Sequence, residues 1–146
     1  MYATLKTLLA LQPREVLLQL ADDNNDGEFR ARPQNAAYRN VQSAVKEASG
    51  IIDSYISGRY SLPLSTPYPE LIVQMGSHLA LCALYDRRRE LDVPEGIKDR
   101  RDRYMALLKD IRSEKASIPG LLRPNPAAAL VSAPQREFSD SLLAKM

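Results

Sequence analysis

The sequence predicts an all-α fold: a small bundle of about four to five helices over residues 1–115, followed by an extended, proline-rich C-terminal arm over residues 116–146. Apolar residues recur at three- and four-residue spacing, which places them along one side of a helix. Prolines separate these segments, and four of the ten lie in the arm, at positions 119, 124, 126 and 134. A chain of 146 residues is also long enough to bury one core without disulfides.

The first two helices are predicted to be short and to form a hairpin with one apolar side. Thr4 is a suitable N-cap for the first helix, and Pro13 suits the first turn of the second. The apolar residues that they carry are Leu5, Leu8, Leu9, Leu11, Val16, Leu17, Leu18 and Leu20.

A polar loop with the sequence DDNNDG follows. Its Asp22, Asn24, Asp26 and Gly27 occupy the first, third, fifth and sixth positions of a calcium-binding EF-hand loop. The twelfth position, which supplies a bidentate Glu in that motif, is Pro33 here. We therefore predict an acid-rich turn rather than a metal site, and a calcium-responsive binding module is the alternative function.

The central helix is predicted to carry an apolar stripe that ends near Ile56, after which the chain changes direction. Gly58 is expected to close the helix in the left-handed conformation, and Pro63 favours an extended conformation for Leu62. The apolar stripe comprises Val41, Ala44, Val45, Ala48, Ile51, Ile52, Tyr55 and Ile56.

The segment RYSLPL, residues 59–64, is therefore predicted to be stiff and extended. One interpretation is a hydrophobic latch that packs Tyr60, Leu62 and Leu64 on its own domain. The other is a contact element for another subunit. Under the second interpretation, replacing Arg59 and Tyr60 by Ala is expected to leave the monomer helical while blocking assembly.

The next helix, predicted from Glu70 to Leu91, is apolar almost all the way round. A helix of this kind is buried on several sides, either in the middle of a bundle or between subunits. His78 and Cys82 lie four residues apart and share a face, but the chain has no other His or Cys to complete a zinc site. We expect a packed thiol and a hydrogen-bonded imidazole, and predict no metal and no cofactor.

An arginine triplet at residues 87–89 ends this helix. Its charges complement the negative end of the helix dipole, and an Arg cluster is equally suited to an acidic partner, so both interpretations stay open. A last helix is predicted from Pro94 to about Lys115, with interleaved charges at residues 98–103. Such a face is usually solvated and ion-paired.

Composition argues against several function classes. Twenty Lys and Arg against 18 Asp and Glu give a formal net charge of +2, which does not call for nucleic-acid binding. We expect no secretory signal, no membrane span and no need for an oxidising compartment. With one His, one Cys and no glycine-rich phosphate loop, the usual catalytic constellations cannot be assembled, so we expect no enzyme. A small DNA-binding regulator using residues 87–89 and 100–103 is a second alternative.

Several segments are similar to those of one protein family. The opening MYAT, the acidic loop at residues 22–27, and above all IDSY followed by GRYSLPL at residues 58–64 resemble a small structural protein family of Mu-like bacteriophages and prophages. The resemblance covers roughly residues 1–111 and continues more loosely into the arm. It implies a mainly helical head-completion or head-tail adaptor protein, of the kind that forms a ring of about twelve copies beneath the portal.

The resulting hypothesis is a virion protein, made in the host cytoplasm, that joins the portal to a tail-terminator or other neck protein. It implies a homo-oligomeric ring, weak non-specific contact with DNA in the channel, and no contact with membranes. The arm from Ile118 onward is expected to reach along a neighbouring copy, and a disordered tail is the alternative. The residues predicted to contact subunits or the portal are Tyr55, Arg59, Tyr60, Leu62, Pro63, Leu64, Arg87, Arg88, Arg89, Leu121, Leu122, Phe138, Leu142 and Leu143.

Overall fold

The computed structural model describes residues 1–122, which form five α-helices and no strand. The helices are α1 (Leu5–Leu9), α2 (Arg14–Ala21), α3 (Ala36–Ile56), α4 (Glu70–Arg87) and α5 (Glu95–Arg112). The predicted all-α fold is confirmed. Residues 123–146, which include most of the predicted arm and the sites predicted at Phe138, Leu142 and Leu143, lie outside the described residues, so their predicted role stays a prediction.

The predicted starts of α1 and α2 are confirmed. The hydroxyl of Thr4 accepts a hydrogen bond from the Thr7 N–H at 3.3 Å, and the Thr7 hydroxyl accepts one from the Thr4 N–H at 3.0 Å, which makes a capping box. Pro13 precedes α2 as its cap residue. Consecutive residues of a helix point about 100° apart, so α1 buries Leu8 and leaves Leu9 exposed, and only part of its leucine run enters the core.

α3 begins after Asn35, whose side chain accepts a hydrogen bond from the Tyr38 N–H at 2.8 Å. The same side chain donates to the Glu28 carbonyl at 2.9 Å, so the cap also fixes the loop that enters the helix. The apolar stripe of α3 faces α4 and α5, as its spacing predicts. The buried residues of α3 are Ala36, Ala37, Val41, Ala44, Val45, Ala48, Ser49, Ile52 and Ile56.

The predicted left-handed closure of α3 at Gly58 is wrong. Among residues 1–122, the glycines with positive φ are Gly27 and Gly120. The chain instead continues in a right-handed turn, in which the N–H groups of Arg59 and Tyr60 both donate to the Ile56 carbonyl, at 2.9 and 3.0 Å. These two hydrogen bonds give the Ile56 carbonyl at the end of the helix its partners, so no left-handed residue is needed.

α4 lies in the middle of the bundle and contacts each of the other four helices. Of the two environments predicted for a helix with apolar residues all round, α4 therefore occupies the middle of a bundle. The helix ends at Arg87 rather than Leu91 because Arg88 leaves the helical conformation, with φ −103° and ψ 81°. The buried residues are Ile72, Met75, Gly76, Ser77, His78, Leu79, Ala80, Leu81, Cys82, Leu84 and Tyr85.

α5 starts at Glu95, directly after the predicted first residue Pro94, and it ends at Arg112, earlier than expected. Glu114 adopts a left-handed φ of 70°, and its N–H donates to the Ile111 carbonyl at 3.2 Å. The N–H of Lys115 donates to the Asp110 carbonyl at 2.9 Å. Together these bonds form a Schellman motif that stops the helix.

The polar residues of α4 behave as predicted. The Cys82 thiol is buried, with its sulfur 3.9 Å from the Ile97 carbonyl oxygen, and burial raises the pKa of this thiol to about 11. The imidazole of His78 lies 3.3 Å from the Arg100 guanidinium. No helix among residues 1–122 combines the length and the hydropathy that a bilayer crossing requires.

Candidate partner-binding surface

Arg59, the first residue of RYSLPL, holds the end of α5. One of its guanidinium nitrogens donates to the carbonyls of Ile111 and Ala116, the latter at 2.8 Å. The second terminal nitrogen is buried and has no partner among the described residues. The charged head thus reaches carbonyls at the C-terminal end of α5, where a cation also complements the helix dipole.

Tyr60 fixes the chain beyond that helix end. Its side chain is 3% exposed, and its hydroxyl accepts a hydrogen bond from the Ile118 N–H at 3.0 Å. Ile118 itself is 2% exposed and belongs to the core. Residues 116–121, assigned from the sequence to the arm, therefore begin by packing on the helical body.

The hydrophobic-latch interpretation of RYSLPL is confirmed for two of its residues. Tyr60 and Leu64 are buried in the core, and Leu62 packs against it while half-buried. Pro63 is exposed, and Tyr55 is half-buried with the Arg112 guanidinium carbon 6.0 Å from its ring centroid. Of the predicted contact residues in this segment, Pro63 is the one that the fold leaves on the surface.

The latch and the segment that follows α5 line one shallow surface cavity of about 310 Å³. We call this region the exit surface and define it as residues 60–69 together with residues 120–122. Leu121 packs against the core, whereas Leu122 is 96% exposed. The structure therefore brings together two groups of predicted contact residues that are more than fifty positions apart in the sequence.

The arginine triplet lies at the other end of α4. Eighteen residues at a rise of about 1.5 Å separate the two ends by about 27 Å. Arg87 and Arg88 pair with the Asp23 carboxylate at 2.7 and 3.0 Å, and Arg87 also donates to the Leu20 carbonyl at 2.9 Å. These two arginines have the structural role, while exposed Arg89 makes no ion pair with a carboxylate of residues 1–122.

These contacts lower the pKa of the Asp23 carboxyl. Partial burial raises the pKa of its carboxyl, but hydrogen bonds from Asn40 and Arg87, with the charges of Arg87 and Arg88, outweigh burial and hold the pKa below its usual value. The Asn40 side chain also donates to the Ala21 carbonyl at 2.7 Å. The end of α2 is thus tied to both α3 and α4.

The acidic loop is folded by its own hydrogen bonds. The Asp22 carboxylate accepts a hydrogen bond from the Gly27 N–H at 2.7 Å, and Gly27 has a φ of 71° that suits glycine. Asp23, which has no place in the EF-hand pattern, binds arginines instead of facing the loop. Within residues 1–122, no group of three or more His, Cys, Asp or Glu side chains is arranged to hold a metal ion.

Tyr2 links the N-terminus to α3 through contacts that the sequence pattern did not predict. The Tyr2 hydroxyl donates to the Asp53 carboxylate, and the Tyr2 N–H donates to the Ser49 hydroxyl at 3.0 Å. The Tyr2 ring also meets the Tyr68 ring edge to face, with centroids 5.0 Å apart. Tyr2 and Asp53 belong to two of the segments on which the family resemblance rests, and these segments meet in space.

The comparisons with known proteins agree with that resemblance. A protein-family model described as "Bacteriophage Mu, Gp36" matches residues 2–132, which include all five helices and the exit surface. Among curated proteins no significant match is found. Because the family model covers well over half of the sequence, the chain belongs to the bacteriophage Mu Gp36 family and is a phage protein.

Proposed function

We propose that this protein is a head-tail adaptor of a long-tailed phage, in which copies of the chain form a ring between the portal and the tail. Membership of a bacteriophage Mu family supports a role in the phage. The observation that carries the adaptor role is the exit surface, where the latch meets the start of the C-terminal segment and Leu122 is 96% exposed.

A ring requires head-to-tail contacts between two different surfaces of each copy. The exit surface is one candidate. A second is the outward face of α5, because this helix packs mainly against α3 and α4 and buries only Leu108 and Ile111. Its exposed residues carry charges of both signs, including Lys98, Asp99 and Arg103, which favours a polar, reversible contact.

The sequence beyond the exit surface supports association as well. Residues 123–146 include Leu130, Val131, Phe138, Leu142 and Leu143, which are costly to leave in water. A neighbouring copy or the portal would cover them. Leu122, which immediately precedes this segment, is also apolar, and its side chain is exposed.

The test is the mass of the protein in solution, alone and mixed with the portal protein of the same phage. We expect a multi-copy complex, at least in the mixture, since the portal can template the ring. Leu122→Asp adds a charge to the exit surface without touching the core and is expected to prevent this complex. Ser43→Asp adds the same charge to an exposed position of α3 and is the matched control.

A protein that stays monomeric and ignores the portal would contradict the adaptor role. Equal assembly of the two Asp variants would contradict the exit surface as the contact while leaving the adaptor role intact. Calorimetry with millimolar calcium separates the calcium-module alternative, which predicts binding heat. Retention of duplex DNA that weakens steeply with salt would instead support the DNA-binding alternative.

A further inference from the structure

A second cavity, of about 320 Å³, lies between α1, α4 and α5 and is distinct from the exit surface. Apolar side chains form part of its wall, among them Leu11 in the turn after α1 and Val73 of α4. His78 and Arg100 form its polar end. Cavities that combine apolar walls with a few converging polar groups are the usual form of ligand sites.

The polar end is built from a buried imidazole and a guanidinium. His78 is 8% exposed, and its ring lies beside that of Tyr104, with centroids 5.4 Å apart. Burial, and then the charge of Arg100, lower the pKa of His78, so the imidazole is neutral at neutral pH. A neutral imidazole nitrogen accepts a hydrogen bond from the guanidinium across the 3.3 Å separation, which holds Arg100 at the cavity.

The Arg100 guanidinium has further N–H donors that can bind a ligand. A guanidinium has five N–H donors, and His78 accepts from one of them. No carboxylate of residues 1–122 pairs with Arg100. The Ser77 hydroxyl in the same wall is already engaged, because it bonds to the Val73 carbonyl at 2.7 Å and to the Thr7 hydroxyl at 2.9 Å.

The acidic residue of the cavity lies at the other end. Glu70 is in the first turn of α4, eight residues before His78, so about 12 Å of helix rise separates them. It also accepts a hydrogen bond from Gln74 at 3.1 Å. The end near Arg100 therefore favours a negative group.

We propose that this cavity binds a carboxylate carried on a short aliphatic chain. The planar fork of the Arg100 guanidinium matches the two oxygens of a carboxylate. The aliphatic part lies against Leu11 and Val73, and His78 positions the guanidinium. A single cation in the lining suits a monoanion better than a doubly charged phosphate. The proposal is independent of the adaptor role.

The single histidine of the chain makes a sharp experiment available, because the imidazole NMR signals belong to His78 alone. Sodium butyrate is titrated into the full-length protein at constant ionic strength, and a saturating shift of these signals is expected. Butyramide, which has the same shape without the charge, is expected to give no saturating shift. Arg100→Gln is expected to weaken binding about tenfold or more.

Arg103→Gln is the matched control, since it removes an exposed arginine from the same helix outside the cavity. A shift that never saturates, or equal titrations of the two variants, would overturn the proposal. The blocked amino acid N-acetylglutamate α-methylamide distinguishes two sources of the carboxylate. If N-acetylglutamate α-methylamide binds as butyrate does, the site fits the acidic side chain of a partner protein. If only butyrate binds, the site fits a free small carboxylate.

Discussion

The hydroxyl of Tyr60 accepts a hydrogen bond from the backbone N–H of Ile118 at 3.0 Å, and both residues are buried. The bond joins the turn after α3 to the segment after α5. Arg59, the residue before Tyr60, donates to the carbonyls of Ile111 and Ala116. Two consecutive residues of RYSLPL thus determine where the chain leaves the helical body. Substituting both by Ala is now expected to act on folding first, so its effect on assembly is interpretable only in protein shown to be folded.

Tyr60→Phe is expected to lower the free energy of unfolding by about 1 to 3 kcal/mol, because it leaves the buried Ile118 N–H without an acceptor. Urea unfolding measures the change, and amide exchange at Ile118 is expected to accelerate. Tyr55→Phe is the control, since no hydrogen bond of the Tyr55 hydroxyl is present among residues 1–122. Equal stability of the two variants would show that the Tyr60 bond contributes nothing.

Arg59→Ala is expected to destabilise the fold by about 1.5 to 3 kcal/mol, the range for hydrogen bonds from a charged donor. Arg59→Lys keeps the charge but loses the planar fork, so an intermediate loss is expected. Arg39→Ala, at an exposed position of α3, is the control. If Arg59→Ala unfolds at the same urea concentration as Arg39→Ala, the bonds to Ile111 and Ala116 are unimportant for stability.

Asp23→Asn is expected to cost at most about 1 kcal/mol, because its ion pairs with Arg87 and Arg88 are partly exposed. The cost should shrink in high salt. Since folding lowers the pKa of Asp23 below the ordinary value of 3.8, its contribution is present above that pH and is lost as the pH falls further. Asp26→Asn in the same loop serves as control. A salt-independent difference between the variants would exclude an ionic origin.

His78 is expected to make the fold less stable in mild acid. Burial lowers its pKa in the folded state below the ordinary value of 6.5, so the unfolded chain binds the proton more readily. The stability from neutral His78 is therefore complete above about pH 6.5 and is lost as the pH falls through that value toward the folded pKa. His78→Gln should flatten the pH dependence of the unfolding free energy between about pH 7 and 5. Parallel curves for the two proteins would refute this.

The helices could be predicted because their signals are local. Thr4, Pro13 and Pro94 mark helix starts through capping geometry and missing N–H groups, which depend on a few neighbouring residues. The apolar face of α3 follows from spacing alone. Gly58 shows the limit of such signals, because a glycine permits a left-handed closure without requiring one, and the Ile56 carbonyl is satisfied by other N–H groups.

By itself the sequence determined the fold class, the order of the helices and a family resemblance carried by short motifs, since each rests on residues close together along the chain. Only the tertiary structure decided what RYSLPL does, because the partners of Arg59 and Tyr60 lie more than fifty residues away. It also decided that Asp23 holds Arg87 and Arg88, and that Arg100 meets His78 at a cavity. Long-range polar contacts leave no periodic signal in a sequence; they depend on how helices pack, and packing is set by the whole core at once.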